Sequence, residues 1–361
     1  MSRVLIVSYY FPPFNGPGAQ HPDFFHRYLR EQGFDISTIT SAVYFTPNAA
    51  PAAAPPEIPD VLHLPRQSWL RAVCQRLYKA EMQVQVRMGR WQPGFVWGKL
   101  FASTAAERLL IDHPPDAMIS VSPPVSSHWV ALRLKKQFPK LFWIADFQDP
   151  FIGNPFDSRI TDRDRRFEQD VFLHADILSA NTDTTLAMWL ERHPEYAKKI
   201  TVTWGGYDPA EEVRALPLAS PKPVLSHVGF GARIPTALLK SLARLTESGR
   251  LKPHDLTADF VGDLDFGPLA ELARSLEAKG VIRVRSTYVP RPEALRISGQ
   301  AQLLPAARHH TRQRCFAGSG QAIRSGAHWP PYLGFHGREF PVLAHSGAVG
   351  NLSCPPEARR V

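Results

Sequence analysis

The chain has 361 residues, 44% of them hydrophobic, and a net charge of +9. That length suits two α/β domains, and no apolar run reaches the ~18 residues of a membrane span. Three cysteines (Cys74, Cys315, Cys354) give neither a disulfide framework nor a Cys-x-x-Cys spacing, and no metal is called for.

Met1-Ser2-Arg3 leads into a first strand rather than a secretory leader, so the expected compartment is the cytoplasm. The apolar strand Val4–Val7 runs into a Pro/Gly-rich loop, Ser8 to Ala19, with Gly16 and Gly18. A helix follows with Phe24, Phe25, Tyr28 and Leu29 on one face, then Gly33 and the strand Ile36–Thr40. A glycine loop between a buried strand and a helix N-terminus lets backbone N–H groups approach an anionic or sugar ligand. Residues 47–59 read as an Ala/Pro-rich loop, 66–90 and 100–112 as helices.

Downstream, Asp116–Val121 predicts a strand broken by Ser122-Pro123-Pro124, and 126–137 a helix. The strand Leu141–Ala145 ends at Asp146; Asp176–Ala180 and Ile200–Thr203 are further strands, with a helix over 182–192 between them. This alternation implies a parallel sheet wound by βαβ units. After a Pro/Ala/Glu-rich linker at 208–223 the pattern restarts. Val224–Val228 is a strand, Gly229–Ala232 a glycine loop, Ile234–Leu245 a helix, Asp259–Gly262 a strand, Leu269–Lys279 a helix and Val281–Arg285 a short strand. Two Rossmann-like halves, each with a glycine loop, suggest a ligand cleft between them.

The charge is uneven. Residues 65–100 carry seven basic side chains against Glu81, interleaved with Trp69, Tyr78, Trp91, Phe95 and Trp97. Aromatics mixed with arginines suit the cytoplasmic face of a membrane or a lipid-linked acceptor; a solvated amphipathic helix face is the plainer alternative. No recognised nucleic-acid module supports reading this segment as a nucleic-acid site.

Five segments, in order, resemble one family. They are Ser8-Tyr9-Tyr10-Phe11-Pro12-Pro13 with Gly16 and Gly18; Ser122-Pro123-Pro124-Val125-Ser126-Ser127-His128; Ile144 through Phe151; Gly206-Tyr207-Asp208; and His227 through Arg233. Over residues 3 to about 304 the chain resembles the family 4 glycosyltransferases of the GT-B fold. The resemblance implies an α/β protein of two facing Rossmann-like domains. Residues 1–207 would form the acceptor-side domain and 224–304 a partial donor-nucleotide domain. It implies a nucleotide-sugar donor as substrate with no further cofactor, a polysaccharide or lipid-linked acceptor, and retention at the transferred carbon. Charge building on the departing pyrophosphate is what backbone N–H groups and a cation would stabilise. Gly16, Gly18, Gly229, Arg233, Val289 and Pro290 are the donor-side candidates, and Asp146, Asp149 and His128 the catalytic ones.

Each candidate has a plainer reading. Gly16 and Gly18 can be turn glycines, Arg233 a solvated arginine at a helix start, Asp149 a turn cap before Pro150, and His128 an early-helix residue. Three positions depart from the family: His21 and Gln148 stand where arginines are usual, and Gly205 where an Asn is usual. Each departure removes a polar or charged group from the expected cleft, which favours a second reading, a non-catalytic nucleotide-sugar-binding or assembly protein. An NAD oxidoreductase fits poorly, because the first loop lacks Gly-x-Gly-x-x-Gly and no acid closes the second strand at Thr40.

From Pro305 the α/β pattern stops. The last 57 residues hold seven Arg, five His and two of the three Cys, but no Lys or Asp. His309, His310, Cys315 and His328 match no standard metal spacing, and Trp329 and Tyr332 are odd in a disordered tail. Read from the second base of each codon, Gly318–Arg324 can spell Val-Pro-Ala-Lys-Leu-Phe-Glu, and Trp329–Leu333 Gly-Arg-Pro-Ile-Leu. Those strings resemble the missing donor-domain core, including the glutamate that binds the donor ribose in the family. The expectation is a frameshifted tail over 305–361 and a chain with little transfer activity.

Overall fold

The structure, a computed structural model, describes residues 2–14, 16–43, 57–87, 93–154, 159–205, 223–229, 235–262, 264–286 and 289–300. The expected linker, the Gly206-Tyr207-Asp208 motif, Arg233 and the 305–361 tail lie outside the described residues.

Seven strands form the first sheet: β1 (Arg3–Ser8), β2 (Asp35–Ser41), β3 (Val61–Leu64), β4 (Ala117–Ser122), β5 (Phe142–Phe147), β6 (Ile177–Ala180) and β7 (Ile200–Val202). Their order is β3-β2-β1-β4-β5-β6-β7, every pair parallel. Alternate residues of β1 feed opposite cores, Leu5 and Val7 one, Val4 and Ile6 the other. Burial of both faces is why these strands read as unbroken apolar runs.

Helix α1 (Gln20–Glu31) lays Phe25 and Leu29 on the Val4/Ile6 face. Tyr28, expected on that face, is exposed, and Pro22 and His26 are buried instead. His26 Nδ1 meets Thr38 Oγ1 of β2 at 2.9 Å, which satisfies both groups in the core. The other face is covered in part by α2 (Ser68–Arg87), α4 (Ser103–Asp112), α5 (Ser126–Gln137), α6 (Asp162–His174) and α7 (Asp183–Arg192). A three-residue helix, α3 (Phe95–Trp97), and a π-helical turn, Gly98–Ala102, lead into α4. Trp143 of β5 and Trp189 of α7 are fully buried on that side.

Strand β3 and helix α6 carry weak sequence signals. β3 has four residues with His63 inside the run. α6 is rich in charge and is started by its cap: Thr161 accepts from the Asp164 backbone N–H, and Asp164 accepts from the Thr161 backbone N–H.

A second sheet holds β8 (Val224–Val228), β9 (Thr257–Val261) and β10 (Ile282–Arg285), parallel, in the order β10-β9-β8. Helices α8 (Thr236–Glu247) and α9 (Ala270–Ala278) pack on its Leu225/Ala258/Phe260/Ile282 side. Helix α10 (Arg291–Gly299) packs against β8. In register across the sheet, Ser226, Asp259 and Arg283 share one row. Asp259 is buried and accepts from Arg283 Nε (2.5 Å) and Nη2 (2.7 Å) and from Arg285 Nη2 (2.8 Å).

Candidate functional site

In an open parallel sheet, ligands bind outside the carboxyl ends of the strands where the order reverses. Here that point lies between β1 and β4. The loops leaving these strands are tied together, since the Tyr9 N–H donates to Ser127 Oγ at 3.0 Å. Thr40 Oγ1 donates to the Tyr9 carbonyl and Tyr9 Oη to the Val43 carbonyl, so β2 is stitched into the same edge.

Asp146 is the hub of this edge. It sits near the end of β5, fully buried, opposite Ser179 of β6 in register. Ser179 Oγ donates to its Oδ1 at 2.8 Å, and Gln148 Nε2 to its Oδ2 at 2.7 Å. His21 Nε2, from the first turn of α1, approaches the same Oδ2 at 3.9 Å. The backbone around Gln148 is fixed in turn. Its N–H donates to the Ser122 carbonyl at 2.8 Å, and Asn181 Nδ2 donates to its carbonyl. The ends of β4, β5 and β6 and the first turn of α1 thus converge on one carboxylate. A buried carboxylate is tolerable only with donors on both oxygens, and both have them.

Asp149, three residues on, is half-buried beyond the strand. His128 lies elsewhere. It is fully buried in α5, its Nδ1 2.7 Å from Ser120 Oγ in the middle of β4, and Trp143 Nε1 donates to that same hydroxyl at 2.8 Å. The Phe147 ring is 4.1 Å from the imidazole, centroid to centroid. Burial depresses its pKa to about 3, so the ring is neutral at any ordinary pH. His128 is thus packed into the interior from the first turn of α5.

The glycines of the first loop leave room for the loop's own aromatics. A Cβ on Gly16 would meet the Phe14 ring at 2.3 Å, and one on Gly18 the Tyr10 ring at 3.1 Å. Those two rings stack at 4.4 Å. Gly16 precedes a short 3-10 turn, Pro17–Ala19, closed by the Ala19 N–H on the Gly16 carbonyl. In the second sheet the Gly229 N–H donates to the Val261 carbonyl, so it is already occupied. The Gly229 carbonyl presses on Gly262, where φ is +127° and a Cβ would lie 1.9 Å from that oxygen. Val289 and Pro290 immediately precede α10, Pro290 at its N-cap.

Beyond Tyr9, a small recess is lined among others by Tyr9, Val43, Cys74, Tyr78, Glu81 and Trp97. Glu81 accepts from the Phe95 N–H at 2.9 Å, at the start of α3. Burial pushes its pKa up, against the lowering effect of the Phe95, Gly94 and Val96 N–H groups.

The sequence picks out Asp146, and treats His21 and Gln148 only as departures from a pattern. That both meet the same carboxylate follows from the β4–β5 pairing and the placement of α1. Ser179 and Asn181 carry no sequence signal; strand register alone aligns Ser179 with Asp146. Among the described residues, no cluster of three or more His, Cys, Asp or Glu could hold a metal.

No family model matches the chain, and no curated protein matches it in sequence. Its fold is similar to the catalytic domain of starch synthase IV from Arabidopsis thaliana, solved with ADP and acarbose (TM-score 0.52, 12% identity, 84% of this chain and 77% of that one). It is similar too to an α,α-trehalose-phosphate synthase (UDP-forming) from Burkholderia vietnamiensis (TM-score 0.52, 15% identity, 84% and 76%). A third likeness is to the N-terminal domain of Candida albicans trehalose-6-phosphate phosphatase (TM-score 0.53, 12% identity, 83% and 77%). At these identities the likeness concerns the fold, and the α/β fold of this chain is of the GT-B class.

Proposed function

We propose that the chain is a glycosyltransferase of the family 4 type, built to move a sugar from a nucleoside-diphosphate sugar to a polysaccharide or lipid-linked acceptor with retention. The observation that carries this reading is the convergence on Asp146 at the carboxyl edge of a β3-β2-β1-β4-β5-β6-β7 sheet, in a chain that also holds a second parallel α/β sheet. ADP in the similar starch synthase, and the UDP-forming reaction of the similar trehalose-phosphate synthase, support a nucleoside diphosphate as leaving group.

Asp146 is a positioning group in this reading. Its carboxylate is sealed from solvent, so it acts through Gln148 and His21, which it holds at the edge. Asp149, Gly16 and Gly18 are assigned to the same edge. Gly229, Arg233, Val289 and Pro290 are assigned to the donor side. The chain as written lacks a complete donor domain, because we read 305–361 as a shifted frame; the ribose-binding glutamate is lost with it. The gene sequence tests that directly: an early stop in the second-base frame, or no Lys-Leu-Phe-Glu string, rejects it.

The alternative, a non-catalytic nucleotide-sugar-binding protein, is favoured by His21 and Gln148 standing at Asp146 in place of arginines. A frame-restored chain separates the two. With UDP-, GDP-, ADP- and dTDP-sugars it should release nucleoside diphosphate, and Asp146→Asn should lower kcat about a hundredfold. His21→Ala should lower the rate, and His21→Arg should restore it. Binding of a nucleotide sugar without turnover would assign the alternative.

A further inference from the structure

Just past β5, residues 148–154 are held to the helices behind them by an ion pair. The pair is Glu168 of α6 and Arg192, the last residue of α7, with Arg192 Nη1 3.3 Å from Glu168 Oε1. It takes both backbone groups of one residue, Ile152. The Ile152 N–H donates to Glu168 Oε2 at 2.9 Å, and Arg192 Nη1 donates to the Ile152 carbonyl at 3.0 Å. His193 Nε2 stands 3.4 Å from the same Glu168 Oε1. The Glu168 side chain is 2% exposed and that of Arg192 32%. Phe151 and Ile152 are buried, Phe151 edge-on to Phe167 of α6 at 5.7 Å. Gly153 follows at φ +100°, where a Cβ would lie 3.0 Å from Met188 Sδ and 3.4 Å from Arg192 Nη2. The near end of the loop is fixed at Gln148, whose N–H donates to the Ser122 carbonyl and whose carbonyl accepts from Asn181. Asp149, Pro150 and Phe151 lie between the two anchors.

We propose that Glu168 and Arg192 are positioning residues, which set Gln148 and Asp149 at the carboxyl edge of the first sheet by clamping the loop at Ile152. A buried ion pair is a weak source of stability, because desolvation offsets its attraction. The apolar contacts of Phe151 and Ile152 already hold the loop down. What the pair adds is direction. With the peptide units on both sides of Ile152 bonded, the loop cannot turn about those apolar contacts. Groups that meet a substrate need such a support, since a misplacement of about 1 Å can cost about a hundredfold in rate. The effect on turnover rests on the transferase reading; the clamp itself does not.

Hydrogen exchange read by mass spectrometry on the full 361-residue chain tests the clamp. Arg192→Met removes the donor to the Ile152 carbonyl, and Glu168→Gln leaves one acceptor oxygen of two. In each, the peptide covering 148–154 should exchange at least about tenfold faster, while β5, β6 and the body of α6 keep their protection. Arg192→Lys returns a donor and should recover most of the protection. Arg192 is partly exposed, so R192M keeps the test decisive should E168Q misfold. In the frame-restored chain R192M should lower kcat at least about tenfold and leave the nucleotide-sugar KM within about twofold, because the donor is assigned to the second sheet. R192K should restore kcat. Unchanged exchange at 148–154 overturns the proposal. So does an equal rise throughout α6 and α7, which would make the pair a packing element, and so does a kcat that R192M leaves untouched. If the unsubstituted frame-restored chain releases no nucleoside diphosphate, the transferase reading fails by itself, and exchange alone decides on the clamp.

Discussion

His21 Nε2 lies 3.9 Å from Asp146 Oδ2, and Gln148 Nε2 lies 2.7 Å from that same oxygen. The two side chains come from opposite sides of the strand-order reversal, one from α1 and one from just past β5. An amide and an imidazole thus approach one oxygen of a buried carboxylate whose other oxygen is taken by Ser179.

Asp146→Ala should destabilise the chain by about 2–3 kcal/mol, because Ser179 Oγ and Gln148 Nε2 are left as donors without their acceptor at a buried position. Asp146→Asn keeps one acceptor oxygen and should cost less than half as much. Urea unfolding followed by near-UV circular dichroism measures both. Equal costs would show that the carboxylate oxygens do not organise this edge.

His128 makes the first sheet acid-sensitive. Its folded pKa is about 3 against an unfolded 6.5, so the unfolded state takes up the proton first as pH falls. Its contribution is fully present above pH 6.5 and is lost toward pH 3, at ~1.4 kcal/mol per unit, or roughly 3 kcal/mol by pH 4. Burial lowers the pKa of His26 and His63 as well, adding to the same slope. His128→Leu should make the decline in unfolding free energy between pH 6.5 and 4 shallower by close to one proton. An unchanged slope in urea titrations across that window would remove His128 as the cause.

Gly262→Ala should cost about 2–4 kcal/mol, since it combines a φ of +127° with a Cβ 1.9 Å from the Gly229 carbonyl oxygen. Both partners are backbone, so no side chain can swing aside. Amide hydrogen exchange should accelerate across β8, β9 and β10 while the seven-stranded sheet keeps its protection. Uniform loss across both sheets would mean that they unfold as one unit.

Asp259→Asn should weaken the three-stranded sheet by about 1–2 kcal/mol, less than a fully buried pair because Arg283 and Arg285 remain 60% and 36% exposed. The hydrogen bond from Arg283 to Asp259 raises the arginine's pKa and is the larger effect there. Thermal unfolding in low and high salt reads this out, with the difference shrinking as salt rises.

Much of the fold could be read from residue order. Strands buried on both faces must be nearly all apolar, so Val4–Val7 and Asp116–Val121 announced β1 and β4 with errors of about a residue. Strand β3 was missed because four residues interrupted by His63 carry too little pattern; it exists because β2 offers it an edge. Helix α6 was missed because its charged surface hides its period, while the signal that was there, Thr161 with Asp164, is a cap rather than a stripe. Tyr28 was placed on the buried face of α1 by spacing alone, and the structure gives that burial to Pro22 and His26.

Most strands of the first sheet, the glycine loops and the place of Asp146 near a strand end are local properties of the chain, set by periodicity and turn chemistry that act within a few residues. What surrounds Asp146 is not local. Ser179 is 33 residues away and His21 more than a hundred, and they arrive only because parallel pairing fixes the register of β5 on β6 and places α1 over the strand ends. The surroundings of His128 arise the same way: the close packing of α5 on β4 puts it against Ser120 and Phe147, where desolvation holds it neutral.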